Sequence, residues 1–156
     1  IDQEILTALA PTSNHAIAQG QTRLLPNSAW YQVDVNGIIG WASSRFLAQL
    51  GDTYDDTARV LEDAFPYAET MEQMGEEIAQ LYASDEPQST VTIVDGPSFG
   101  DLAEITVDVV GVGDDALAGF RLHIFAQPDP GGEGWEIRTV EVTPLCSRGV
   151  SDGLCL

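Results

Sequence analysis

Trp30-Tyr31-Gln32-Val33-Asp34-Val35-Asn36-Gly37-Ile38-Ile39-Gly40-Trp41, running on into Ala42-Ser43-Ser44-Arg45-Phe46-Leu47, is the stretch whose reading decides the first part of the fold. Apolar and polar residues alternate on either side of Asn36-Gly37, as a half-buried ribbon demands. Asn and Gly accept positive φ at the least steric cost, and a two-residue hairpin loop needs that conformation at its centre. The segment therefore reads as a β-hairpin turning at Asn36-Gly37, with a Trp on each arm. Val33, Val35, Ile39 and Leu47 are its expected core residues.

The pattern W-Y-x-V-x-V-N-G-x-x-G-W-x-S-S-R-F-L resembles the bacterial SH3-like (SH3b) domain, a small barrel found mostly in exported bacterial proteins that touch the cell wall. The resemblance extends over residues 1–51. It implies that Trp30, Tyr31, Asn36 and Trp41 contribute to a shallow site for a wall peptide or another extended chain. The competing reading has both Trp side chains closing the barrel. Family members usually carry a strand and an Arg-x-Gly-Pro-like turn ahead of the segment that here reads Ile5–Pro11. The resemblance thus implies a barrel incomplete at its N-terminus and a native protein extending upstream of Ile1.

Composition narrows the partners. The 156 residues are 44% hydrophobic and 20% charged, a globular balance, and no apolar run approaches the ~20 residues that span a bilayer. Acidic side chains number 25 against 6 basic ones, all arginine, for a net charge of −19. Residues 1–51 hold Asp2, Glu4 and Asp34 against Arg23 and Arg45, so nearly all of the excess falls in residues 52–156. Phosphate backbones and anionic membrane surfaces are repelled by such a surface, which excludes nucleic acid and lipid headgroups as partners. A cationic partner is compatible with it. The simplest reading is a solvated acidic exterior that keeps an exported protein in solution.

Gly51-Asp52-Thr53-Tyr54-Asp55-Asp56 is the expected boundary between an SH3b-like barrel, 1–51, and an acidic domain, 52–156. Val60, Leu61, Ala64 and Phe65 fit one short helical face that Pro66 ends. Thr70-Met71-Glu72-Gln73 reads as a capping box opening a second helix, with Met71, Met74, Ile78 and Leu81 at helical spacing up to about Ala83. From Ser89 the period becomes two, giving strands Thr90–Asp95, Leu102–Val112, Leu117–Ala126 and Trp135–Val142. A hairpin at Gly113-Asp114 sets Arg121 opposite Asp108 and His123 opposite Thr106, and a bulge near Arg138-Thr139 reconciles the faces of the last strand. The expected class is α+β: a partial SH3-like barrel, then two short helices on the apolar face of a four-stranded antiparallel sheet, in a cystatin-like or NTF2-like layout.

Few constellations carry chemistry. Cys146 and Cys155 flank a loop with two glycines, and a disulfide there would contribute roughly 2.7 kcal/mol in the chain-entropy model. Free thiols or half of a metal site are the rival readings, but neither a C-x-x-C spacing nor histidines beyond His15 and His123 support zinc. A disulfide points outside the cytoplasm. Gly96-Pro97-Ser98-Phe99-Gly100 matches G-x-S-x-G with Asp108 and His123 following, yet a strand rather than a helix comes next, and the register sets Ser98 on the order of 20 Å from His123. The match reads as a turn. His123 is expected on the polar sheet face between Thr106 and Arg138. No cofactor, no metal site and no catalytic set is expected. The expectation is an exported, non-enzymatic binding protein; the alternatives are an accessory region of a wall hydrolase whose catalytic domain lies elsewhere, or a small-ligand carrier with a pocket in the α+β part.

Overall fold

Asn36 and Gly37 take φ of 54° and 82°, and Gly37 N donates to Asp34 Oδ1 at 2.7 Å, closing the expected hairpin turn. The structure, a computed structural model, describes residues 5–8, 15–25 and 28–156, with side chains from residue 29 onward. The first strands are β1 (Ile5–Ala8), β2 (His15–Leu25), β3 (Ser28–Val35), β4 (Ile38–Ser43) and β5 (Leu47–Leu50). They hydrogen-bond in the order β4-β3-β2-β1-β5, all antiparallel. A 3-10 turn, Ser44–Phe46, separates β4 from β5, and Ser43 caps it by accepting from Arg45 N.

Side chains directly opposed in an antiparallel pair share a face, and successive ones alternate. Val33 faces Gly40 and Tyr31 faces Ala42 across the hairpin. Tyr31, Ala42 and Val35 pack on the buried pair Val33 and Leu47. Trp41 faces Gln32, Ile39 faces Asp34 and Trp30 faces Ser43, so all three apolar side chains belong to the opposite face. Ile39 is accordingly not core: it is 61% exposed. The two-residue turn fixes this, because it brings the even-numbered positions of β4 onto the face of Val33 and Val35.

The second part contains β6 (Tyr54–Asp55), α1 (Thr57–Asp63), β7 (Tyr67–Ala68), α2 (Met71–Gln80), β8 (Thr90–Phe99), β9 (Ala103–Val110), β10 (Leu117–Pro128), β11 (Trp135–Cys146), β12 (Val150–Ser151) and β13 (Leu154–Cys155). Strands β8 to β11 form the expected meander, with Arg121 opposite Asp108 and His123 opposite Thr106. The bulge falls where the alternation requires it, since Phe125 pairs with Thr139 and Ala126 with Ile137, leaving Arg138 extra. The sheet is larger than the four strands expected. Its path continues from β11 into β5, and β6 and β7 also pair with β11.

Thr70 Oγ1 accepts from Gln73 N at 3.1 Å, capping α2 as the sequence predicts. Met71, Met74, Ile78 and Ala79 bury onto the face formed by Ile105, Val107, Leu122, Ile124, Val140 and Val142. At Gly75 the helix approaches so closely that a Cβ would stand 2.9 Å from Val107 Cγ2. In α1 Val60 is fully buried, but Leu61 and Phe65 are exposed, contrary to expectation. The helix ends at Asp63 and the chain leaves extended at Ala64, which carries Phe65 away from the sheet.

Two further ties secure the layers. Tyr82 Oη donates to Asp56 Oδ2 at 2.6 Å, Arg59 Nε donates to the same oxygen, and the guanidinium lies 4.3 Å above the Tyr82 ring. Cys146 and Cys155 are disulfide-bonded, as expected. That bond holds the β12–β13 hairpin against the β5–β11 joint, where Asp52 N donates to Gly153 O and Gly51 N to Pro144 O.

Two outcomes follow from these contacts. Arg121 and Asp108 are both buried and joined by a two-point fork, Nε to Oδ1 and Nη2 to Oδ2, each 2.8 Å. Removing the guanidinium leaves the buried Asp108 carboxylate without its fork, so Arg121→Ala is expected to cost about 3–5 kcal/mol in urea unfolding. Burial, and then the hydrogen bond to Asp56, hold the Tyr82 phenol well above its ordinary value. The folded state favours the neutral phenol, so this contribution is complete below pH ~10 and declines above it as the unfolded chain ionises first. Tyr82→Phe is expected to flatten part of the alkaline fall in melting temperature, while losing about 1.5–3 kcal/mol near neutrality with the hydrogen bond to a carboxylate.

Candidate functional site

The alternation that buries Ile105, Val107, Leu122 and Ile124 under the helices turns the intervening residues to the other side of the sheet. Glu104, Thr106 and Asp108 from β9, Arg121 and His123 from β10, and Glu141 and Thr143 from β11 share that polar face. A cleft of about 760 Å³ lies over it. Its walls come from both parts of the chain: Asn36 at the tip of the hairpin, Leu50, Gly51 and Thr53 at the joint, and Val94 and Asp95 from β8.

His123 is the centre of the arrangement. Its Nε2 lies 3.2 Å from Glu104 Oε2 and its Nδ1 3.9 Å from Glu141 Oε2, so a carboxylate from each neighbouring strand flanks the ring. Phe125 packs on the imidazole with ring centroids 4.2 Å apart. Arg138, the expected neighbour, is exposed on the bulge; the shift it introduces brings Glu141 opposite His123 instead. One register position further, Thr143 faces Arg121 and shares a short hydroxyl contact, 2.6 Å, with Thr53. Asp95, Glu104 and Glu141 give the cleft its charge, because the Arg121 guanidinium is matched by Asp108.

Chemically, Glu104 can orient the imidazole through its contact with Nε2, whereas Glu141 stands beyond hydrogen-bond distance of Nδ1. No nucleophilic side chain hydrogen-bonds to it among the described residues. Ser98 does not: it lies in β8 opposite Glu104, at the bulged end of a strand that runs through Gly96-Pro97 to Phe99 rather than in the expected turn. Two strand spacings and two residues separate it from His123, on the order of 12 Å. This is closer than the sequence-based register suggests, because the strand continues past Asp95, yet far beyond hydrogen-bond reach. The next element is β9, not the helix that a nucleophile elbow requires.

The four expected binding residues separate. Asn36 reaches the cleft. Tyr31 turns inward, packs on the Val33–Leu47 cluster and lines a cavity of about 30 Å³ at the joint beside Cys146. Trp30 and Trp41 occupy the opposite hairpin face, each half-buried. Glu104 was legible as a same-face neighbour of His123 from alternation, whereas Glu141 depends on which residue the bulge makes extra. The approach of Asn36 to the sheet has no sequence signal.

Among the described residues no cluster of His, Cys, Asp and Glu could hold a metal ion, and no helix is long and apolar enough to cross a membrane. No family model matches the chain, and neither does any curated protein or any solved structure.

Proposed function

We propose that the chain is an extracytoplasmic binding protein in which residues 1–51 form an SH3b-like module engaging a cell-wall peptide or another extended chain, joined to an acidic α+β layer of cystatin-like or NTF2-like layout. The observation that carries this reading is the pair Trp30 and Trp41. They occupy one hairpin face, on adjacent rungs of β3 and β4, while the small core of Val33 and Leu47 takes the other. Rigid aromatic surface with a polar edge suits an extended peptide. Five antiparallel strands, with a register shift in β2 between Ala18 and Thr22, are consistent with a small barrel. Among the described residues the sheet path ends at β4, whose residues Ile38 to Ser43 include no charge, and such an edge favours pairing with another strand. The disulfide agrees with an oxidising compartment.

A second reading, a small-ligand carrier, is favoured by one observation, the cleft of about 760 Å³ over the polar sheet face. That volume falls within the range of small-molecule sites.

Sedimentation with purified peptidoglycan tests the first reading. The double variant Trp30→Ala, Trp41→Ala is expected to lose binding. Tyr31→Ala is expected to retain binding and to lose about 1–3 kcal/mol, because the ring supports the core and the joint. Binding should change little in high salt, since the module has little charge to screen. Full binding by the double Trp variant, or loss of binding in salt, would assign the contact to another surface.

A further inference from the structure

We propose that the cleft over the polar sheet face takes a small organic cation, an ammonium or guanidinium compound, with Glu104 and Glu141 as its principal acceptors. The proposal rests on the carrier reading and adds the chemistry of the ligand. Three observations carry it. First, the cleft is rich in acceptors: Glu104, Glu141 and Asp95 supply carboxylates, and Thr106 and Thr143 hydroxyls. Among the described residues, Glu104 Oε1 and Glu141 Oε1 receive no hydrogen-bond donor, while the Oε2 atoms face His123. Second, among the described residues the guanidinium that lines the cleft, Arg121, is forked onto Asp108, so its charge is matched and the remaining charge of the described lining is negative. An anion entering would meet three carboxylates, whereas a cation gains charge-assisted hydrogen bonds. Third, His123 Nε2 lies 3.2 Å from Glu104 Oε2 and its Nδ1 3.9 Å from Glu141 Oε2, so the ring spaces the two carboxylates apart, which suits a ligand with several spaced N–H donors better than a single small metal ion bound at about 2.0–2.6 Å.

The geometry also explains why the site needs both parts of the chain. The acceptors stand on β9 and β11, but the wall that turns an open sheet face into a cleft comes from Asn36 and from Leu50, Gly51 and Thr53. Those residues are held over the sheet by the β5–β11 pairing and by the hydrogen bonds from Gly51 N to Pro144 O and Asp52 N to Gly153 O.

The test is calorimetric titration of the full chain with cadaverine and agmatine, alongside glutarate and pentanediol as anionic and neutral compounds of similar length. Both cations are expected to bind saturably with one site per chain. Glu104→Gln and Glu141→Gln, which keep side-chain shape, are each expected to weaken binding about tenfold, the loss of one charge-assisted hydrogen bond. A control variant, Glu76→Gln with Glu77→Gln on the exposed side of α2, removes more charge far from the cleft and is expected to leave affinity within about twofold. Equal weakening by the control would reduce the effect to general attraction toward a chain of net charge −19 and overturn the site. Tighter binding of glutarate or pentanediol would overturn the cation assignment while leaving a carrier in place. Absence of binding by all four compounds would remove the carrier reading together with the proposal.

Discussion

Strand β11 is hydrogen-bonded along both edges, to β10 over its whole length on one side and to β7, β6 and β5 in succession on the other. Because pairing fixes register, and register fixes which side chains share a face, this one strand sets the geometry of everything beside it. It presents Val140 and Val142 to the helices and Glu141 and Thr143 to the cleft. Its last residue pairs with Gln49 and carries the disulfide that seals the joint. A slip of one residue would exchange its buried and polar sets, so the apolar contacts under α2 and the acceptors in the cleft stand or fall together.

The bulge at Arg138 is the device that lets β11 serve both ends. Before it, Ile137 shares the inner face with Ala126; after it, Val140 shares that face with Ile124. Without the extra residue one of these apolar sets would point to solvent. The same insertion decides the electrostatics of the polar face, because the register of Ala126 and Ile137, continued unbroken, would set Val140 opposite His123, whereas the extra residue sets Glu141 there. Among the described residues, three carboxylates then outweigh a guanidinium already held by Asp108, and the local field takes the sign of the whole acidic chain. At physiological salt, charges more than ~8 Å away are largely screened, so the sign inside the cleft is set by Asp95, Glu104 and Glu141 themselves.

Much of this was readable from residues alone where a short-range rule applied. The Asn36-Gly37 turn, the Thr70 cap, the Arg121–Asp108 pairing, the Arg138 bulge and the Cys146–Cys155 bond each follow from turn chemistry, capping, alternation or loop closure. What escaped was decided at longer range or by hairpin parity. Ile39 was assigned to the core by its apolarity, but its partner Asp34 shows that it belongs to the outer face. Phe65 fits a helical stripe that ends two residues before it. The continuation of the meander into β5 depends on pairing between residues nearly a hundred positions apart, and no local pattern encodes it.

Asn36 joins the two halves of the functional argument. Its backbone is required by the turn: φ of 54° at a non-glycine residue is tolerated best by Asn and Asp, and the bond from Gly37 N to Asp34 Oδ1 holds the loop in that shape. Asn36 also lies on the wall of the cleft, a position that the turn alone does not demand. A hairpin whose arms carry the aromatic face therefore also delivers, at its tip, a polar group to the sheet of the second part. Any ligand that shifts this tip acts on both surfaces through one rigid ribbon, because β3 and β4 are paired without interruption from Val35–Ile38 to Trp30–Ser43. The aromatic face and the acidic cleft are thus mechanically adjacent, although no contact between their side chains is needed to make them so.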